Sequence, residues 1–451
     1  MKKYQKYKNS GVGWLGEIPA SWVPTKLKYV GFLYGGLAGK SGEDFKNEDD
    51  SNNKHYINFT NICNNIYISK DDLGQVRVFG GEKQNQVKIG DLFFLMSSES
   101  QEDVGKSSVL KDDIGEVYLN SFCKGFRIMN DSINHLFLNY LLHGKNYRDL
   151  ISIHGNGFTR VNLRQDKVND FVFFYPTYKE QIQIVAFLDQ KASIIDDLIQ
   201  KKLRKIELLK EQRESIINQA VTKGLNTKIE MKDSGERSIG SIPSHWDITR
   251  LKYLVSFDSG YAFKSEDYST EGVNLIRIGN LYENILDLER SPIYLPVGFI
   301  EKYPSFVVKK NDILISLTGT LGKKDYGYSI VYDKEFPSML NQRVGRLKVV
   351  SEDILFQFLT YQLLCDVFLN QLFIKPTGTK QGNLSADDIL TNYLPLPTIS
   401  EQKEIVEYLD KKTSEIDKQV DLENRKIELL KEYRQSLISE VVTGKIDVRT
   451  N

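Results

Sequence analysis

Apolar side chains recur at helical spacing in two long stretches of the chain. In the first they fall at Ile184, Leu188, Ile195, Ile199, Ile206, Leu209, Ile216 and Ala220. In the second they fall at Ile405, Leu409, Ile416, Val420, Ile427, Leu430, Leu437 and Val441. Every step is four, seven or three residues, which traces one stripe along a helix, and charged or amide side chains fill the positions between. Each stripe is too apolar to be left in water, and the simplest prediction is that the two bury each other. The predicted seam sets Ile195, Ile199, Ile206, Leu209 and Ile216 against Ile416, Val420, Ile427, Leu430 and Leu437.

The two stretches are copies. Lys205–Val221 reads KIELLKEQRESIINQAV and Lys426–Val442 reads KIELLKEYRQSLISEVV. The repeat reaches well beyond them. GEIPASWVPTKLKYV (Gly16–Val30) is echoed by GSIPSHWDITRLKYL (Gly240–Leu254), and IGDLFFLMS (Ile89–Ser97) by KNDILISLT (Lys310–Thr318). LNS at Leu119 answers LNQ at Leu340, and GFTRVNL (Gly157–Leu163) answers GTKQGNL (Gly378–Leu384). From Asp91 onward the copies keep one register, offset by about 221 residues, the mark of a duplication. YPTYKEQ and LPTISEQ open the helices, with Pro ahead of the first turn and Glu180-Gln181 or Glu401-Gln402 within it. Gly224 and Gly444 are positioned to stop them.

Each copy therefore reads as a globular part of about 160 residues followed by a helix of about 40, near 60 Å at the helical rise. Short alternating strand patterns mix with helical ones at Asn134–Gly144 and Asp353–Phe373, which predicts an α+β domain. The predicted divisions are residues 1–178, 179–223, 224–399, 400–444 and a tail at 445–451. The segment that joins the copies, KDSGERSIGSIPSHW, resembles the start of the chain, KNSGVGWLGEIPASW. The unit is thus cyclic, and the C-terminus near Thr443 is expected close to the N-terminus near Ser10.

Composition narrows the chemistry. Sixty basic and sixty acidic residues give no net charge, so the chain exerts no global pull on a polyanion. Contact with nucleic acid would come from locally sorted charge or a surface shared with a partner. Cys63, Cys123 and Cys365 are isolated and the histidines scattered, which predicts neither disulfides nor a zinc site. The start, MKKYQKYKNS, lacks the apolar core of a signal peptide, and no apolar run approaches the roughly 20 residues that span a bilayer. The expected location is the cytoplasm. Gly105-Lys106-Ser107 is not a phosphate-binding loop, because Ser100 stands where that motif needs Gly and no helix is evident after it.

The layout as a whole is similar to the DNA-specificity subunit of type I restriction–modification enzymes. The likeness rests on Ile18-Pro19 and Trp22, Ile242-Pro243 and Trp246, Glu180-Gln181, Glu401-Gln402 and Val442-Thr443-Gly444, in order and in duplicate. The first copy departs in closing its helix with Val221-Thr222-Lys223-Gly224, and its loop SSESQEDVGKSS reads as longer and more acidic than TGTLGKK. The resemblance implies two pseudo-symmetric α/β target-recognition domains separated by two long helices in an antiparallel coiled coil, with the domains at its opposite ends. Each domain would read half of a bipartite, asymmetric site on double-stranded DNA. Two modification subunits would dock on the chain, carrying S-adenosylmethionine and adenine-N6 methylation, and restriction subunits would add ATP-driven cleavage. The chain itself would hold no cofactor, no metal and no catalytic residue. The alternative is a coiled-coil adaptor whose heads bind proteins.

Within this frame certain residues are candidates for DNA contact. Thr318, Thr320, Lys323 and Lys324 follow a strand, where paired ammonium groups and exposed N–H groups suit phosphate. Lys106 and Ser107 are read as their counterparts in the first domain. Asn341, Gln342 and Arg343 carry the groups that form bidentate contacts with adenine or guanine, and Asn120 matches Asn341. Thr379, Lys380 and Gln381 form a polar loop whose counterpart holds Arg160, Asn162 and Arg164. Arg204, Lys205, Lys210, Arg213, Arg425, Lys426, Lys431 and Arg434 lie on helix flanks, solvated, paired within the helix, or facing a modification subunit.

Overall fold

The structure is a computed structural model and describes residues 2–45, 52–157, 159–320, 322–375 and 381–449. It divides into two compact units, Met1–Lys202 with Asn424–Asn451, and Leu203–Glu423. The first long helix runs Tyr178–Lys223 and the second Ile399–Val442. Each unit takes part of both.

Unit 1 opens with a hairpin, Tyr7–Asn9 against Glu17–Pro19. Val23–Lys26 then pairs antiparallel with Val172–Tyr175, the strand just ahead of the long helix. An antiparallel sheet follows in the order Gly31–Gly35, Cys123–Ile128, Leu92–Leu95, Ser107–Val109. Outside it Val117–Leu119 runs parallel to Asn53–Ile57. Unit 2 repeats the scheme. Its hairpin is Met231–Asp233 with Ser241–Pro243, its closing pair Asp247–Arg250 with Tyr393–Leu396. Its sheet runs Val255–Ser259, Val344–Val349, Ile313–Ser316, Ser329–Val331. Ser338–Leu340 lies parallel to Val273–Ile276. Fully buried runs such as Leu92–Leu95 and Ile313–Ser316 sit in the sheet centre because both of their faces are covered.

The repeated motif residues turn out to fasten each globular part to its long helix. Trp22 is fully buried, and its indole N–H donates to Glu180 Oε1 at 3.1 Å, beside the Tyr4 hydroxyl at 2.7 Å. In unit 2 Trp246 donates to Glu401 Oε1 at 3.3 Å, with the His245 ring at 2.7 Å. Gln181 accepts the Asn134 amide at 2.8 Å and donates to the Ser132 and Pro176 carbonyls. Gln402 does the same with Leu355, Asp353 and Pro397. A buried amide with every partner present fixes one geometry, because losing a partner would strand a buried polar group.

Helix-to-head clamps come in pairs as well. Tyr140 donates to Asp189 at 2.7 Å, and Tyr361 to Asp410 at 2.7 Å. Gly224 and Gly444 adopt φ of +73° and +71°, the left-handed stop. A Cβ on Gly444 would lie 2.4 Å from the Pro19 ring. In unit 1 the chain ends meet: the Asp447 amide donates to the Lys2 carbonyl at 2.8 Å, and Lys445 Nζ to the Glu17 carbonyl at 2.7 Å.

One predicted helix is broken. Residues 353–373 form two helices, Phe356–Leu363 and Asp366–Phe373, because Cys365 is extended (φ −83°, ψ 153°). The long-helix residue Asn218 caps the second piece, accepting the Asp366 amide at 2.7 Å. Periodicity spans the break because both pieces pack on the same core.

Within each unit the long-helix segments run antiparallel. In unit 1 Asp196 pairs with Arg434 at 2.8 Å, while Arg449, past the second helix, reaches toward Glu180 at 3.9 Å. In unit 2 Lys205 pairs with Glu423 at 2.9 Å and Arg213 with Asp417 at 3.2 Å. Flank charges therefore bridge the helices, while Arg204 (to Glu207) and Lys431 (to Glu428) stay within one. Of the predicted seam, Ile195, Ile206, Leu209, Ile416, Ile427 and Leu437 are buried. Ile199, Ile216, Val420 and Leu430 are half-buried. Ile217, Ile438 and the carboxylate of Glu423 are buried beside them, which the stripe did not predict.

Candidate nucleic-acid interface

Beside each sheet, a short ladder and a tight turn form one polar edge. In unit 1 Ser97 pairs with Asn162, and in unit 2 Thr318 pairs with Asn383, so the register is the same in both. The turn at Asn120 or Asn341 closes against it. Each Asn accepts the amide two residues on through its own Oδ1, at 2.9 Å in Phe122 and 3.4 Å in Arg343. A glycine, Gly36 or Gly260, faces the Asn carbonyl so closely that a Cβ would come within 2.1 or 2.2 Å of it. Asn120 and Asn341 thus shape the turn, and the residue two positions later is the one presented.

Unit 2 gathers most of its candidates on this edge. Gln342, Arg343, Thr320, Lys323, Lys324 and Gln381 are all exposed. The amide of Leu317 donates to the Arg343 carbonyl at 3.0 Å, which ties the turn to the ladder. Thr320 pairs with Gln381 across it. Thr320 also donates its amide to Asp325, and Lys324 lies over the Phe373 ring at 5.2 Å. Thr379 and Lys380 lie outside the described residues. Thr318 is a correction: it is 5% exposed and its hydroxyl donates to Asn383 Oδ1 at 2.9 Å. It builds the ladder and leaves nothing to offer a ligand.

Unit 1 departs further from expectation. Ser107 is buried and donates to buried Asn139 at 3.0 Å, so it is removed from the contact set. Sheet pairing sets Phe94 opposite Ser107 and Ile315 opposite Ser329. Ser107 is therefore the counterpart of Ser329, and Lys106 of Tyr328, not of the two lysines. Counted between the paired residues Phe94 and Ser107, and Ile315 and Ser329, the first-copy loop is one residue shorter than the second, not longer. Lys106 is half-buried and pairs with Asp103 at 2.6 Å. Burial opposes its charge, but the Asp103 bond and the nearby Cys63 sulfur outweigh it and raise its pKa. Arg164 is exposed but forks onto Asp166 at 2.9 and 3.0 Å, holding that carboxyl below the usual range. Arg160 and Asn162 remain exposed on the edge.

Two further exposed residues lie on the edge. Phe122 is 56% exposed with the Arg160 guanidinium 5.2 Å over its ring. Tyr261 accepts the Gln342 amide at 3.0 Å and is 39% exposed, its ring packed on Phe263, Tyr303 and Phe306. The repeat offset points at Phe122, since it falls on Arg343. Tyr261 has no sequence signal beyond following a glycine. Elsewhere, burial pushes the Cys123 and Cys365 thiols up to about 12, making them unreactive. Among the described residues no group of three or more His, Cys, Asp or Glu could hold a metal ion. No helix among them is long and apolar enough to cross a membrane.

Comparison with known proteins concerns the chain as a whole. A family model described as the type I restriction modification DNA specificity domain matches residues 21–208 and again 243–432. The type I restriction enzyme MjaVIII specificity subunit of Methanocaldococcus jannaschii is 31% identical over 274 residues, 61% of this chain and 62% of that relative. The chain thus spans less than two thirds of that relative's length. The EcoBI specificity subunit of Escherichia coli is 24% identical over 337 residues, 72% of this chain and 68% of the relative. Among solved structures, a chain from a study of complex assembly and conformational transition in a type I R-M system superposes with a TM-score of 0.65 at 15% identity. It covers 95% of this chain and 99% of its own length. The HsdS subunit from Thermoanaerobacter tengcongensis gives 0.50 at 14% identity, covering 97% and 100%. At such identities the likeness is one of fold.

Proposed function

Because the chain belongs to the type I restriction–modification DNA-specificity family, whose domain model matches it twice, we propose that it is the sequence-reading subunit of such a complex. Each unit reads one half of a bipartite, asymmetric site on double-stranded DNA through its ladder-and-turn edge. The observation that carries this reading is the repeated register, Ser97 on Asn162 and Thr318 on Asn383, which holds equivalent turns beside unlike exposed side chains. The frame is copied while the reading residues differ, as an asymmetric site requires. Since both edges belong to one chain, engagement of the second half-site is an intramolecular event, and two short readings add up to one specific site. The paired helices set the spacing between half-sites.

Chemistry belongs to the partners in this proposal. Two modification subunits bring S-adenosylmethionine and adenine-N6 methylation, restriction subunits bring ATP-dependent cleavage, and this chain, in the cytoplasm, contributes recognition alone. Exposed Lys323 and Lys324 contact phosphate, while Gln342, Arg343 and Gln381 face base edges. Mapping methylated adenines in the host genome with and without the gene tests the proposal. A two-part motif that vanishes with the gene is expected; an unchanged methylation pattern overturns it.

A further inference from the structure

One position pair differs between the units in an informative way. Phe122 stands two residues past the turn Asn120, as Arg343 stands two past Asn341. Arg160 stands two residues ahead of the ladder Asn162, as Gln381 stands two ahead of Asn383. The guanidinium changes place: unit 1 has an aromatic on the turn and a guanidinium just ahead of the strand, while unit 2 has a guanidinium on the turn and an amide at the start of the strand. In unit 1 the two positions are in contact, Arg160 lying 5.2 Å over the Phe122 ring.

The charges around them leave both arginines open. Lys106 is paired with Asp103, and Arg164 with Asp166. Among the described residues neither Arg160 nor Arg343 has a carboxylate partner, and both are exposed. A guanidinium held over an aromatic face has the orientation of its planar fork of N–H donors restricted, which lowers the ordering cost of a bidentate bond. Guanine O6 and N7 offer the matching pair of acceptors in the major groove.

We infer that turn position 122/343 and strand position 160/381 form a single guanine-reading site in each unit, its fork supplied by Arg160 in unit 1 and by Arg343 in unit 2, with Phe122 positioning Arg160. The inference rests on the proposed reading of the chain as a specificity subunit. Phe122 touches no base here; it acts through Arg160, so removing it matters only while Arg160 is present.

The test uses the full chain assembled with its own methyltransferase, with the methylated motif and relative methylation of single-base variants as readout. R160A is expected to relax one guanine of one half-site by about 5- to 150-fold. R160K, which keeps the charge but not the planar fork, is expected to behave like R160A. F122A is expected to weaken the same position several-fold, with no further effect in an R160A background. R343A is expected to relax one guanine of the other half-site. The transposed variant F122R/R160Q, built on the pattern of unit 2, is expected to keep discrimination that R160Q alone loses. If R160K matches the wild type, or R160A weakens all sequences alike, Arg160 is a phosphate contact and the inference is overturned. Equal effects of F122A with and without Arg160 overturn the positioning role. If no methylation depends on the chain at all, the proposed function itself fails. Both side chains are exposed, and circular dichroism of each variant confirms folding independently.

Discussion

The two units share a frame and part company at the edges. Both bury a tryptophan on the glutamate that opens a long helix, and both tie that helix to the head through a glutamine and a tyrosine–aspartate clamp. Between the shared strands they diverge. Unit 1 inserts a short helix, Phe59–Asn64, and the strand Leu73–Arg77, whereas unit 2 inserts the hairpin Leu281–Tyr282/Ile285–Leu286 and the turn of helix Phe299–Lys302. The frame is held by buried polar groups that need all their partners, so it tolerates little change. The edges face solvent, where most substitutions cost little stability. That contrast lets one architecture carry two unlike readings.

Removing the shared anchor is expected to have the largest effect. Trp22→Ala and Trp246→Ala each delete a fully buried indole and are expected to cost ~3–5 kcal/mol, read by chemical denaturation. Trp22 also meets the edges of Tyr4 and Phe137, with centroids 6.2 and 6.3 Å away, so its loss is the larger. If one variant is silent, the frames are not equivalent.

Acid distinguishes the units. His143 in unit 1 has its pKa pushed down to about 4 by burial, while its ring lies 2.8 Å from the Ser107 carbonyl. The matching position in unit 2 is Leu364. The unfolded chain titrates near 6.5 and so binds the proton first. The His143 contribution therefore lowers stability as pH drops from about 6.5 through about 4, by at most ~3 kcal/mol, and adds nothing further below. Melting curves across that window should flatten in His143→Gln, which keeps a donor without the titration.

The clamps are unequal. Asp189 accepts from Tyr140 and Tyr67 and faces Lys111, whereas Asp410 accepts from Tyr361 and is exposed. Asp189→Asn is expected to cost ~1–3 kcal/mol and Asp410→Asn under ~1. Equal losses would show that exposure does not set the difference.

The smallest effect probes the cyclic repeat. In unit 1 the lead-in hairpin meets the end of the second helix through Asp447 and Lys445, where unit 2 has continuous chain. Joining the ends and opening the chain between Gly224 and Met231 is expected to shift stability by no more than about 1 kcal/mol. Failure to fold would break the equivalence.

Much of this was legible in the residues alone. The helical stripe, the duplication and the paired Trp and Glu-Gln motifs are periodic or repeated, and such signals survive without knowledge of the partners. Even so, the seam admitted Ile217, Ile438 and buried Glu423, because a helix face is wider than a strict stripe and Lys205 supplies the counter-charge. The break at Cys365 was hidden for the same reason, its cap coming from Asn218 on another helix.

The reading edge was decided only in three dimensions. Thr318, Ser107 and Lys106 look like surface polar residues, yet the two hydroxyls are taken by Asn383 and Asn139 from other elements, and the ammonium by Asp103 within its own loop. Strands of two or three residues are too short for alternation to show which face is covered. The repeat fixes which strands correspond; strand pairing fixes the loop positions between them, and tertiary partners fix which side chains reach solvent.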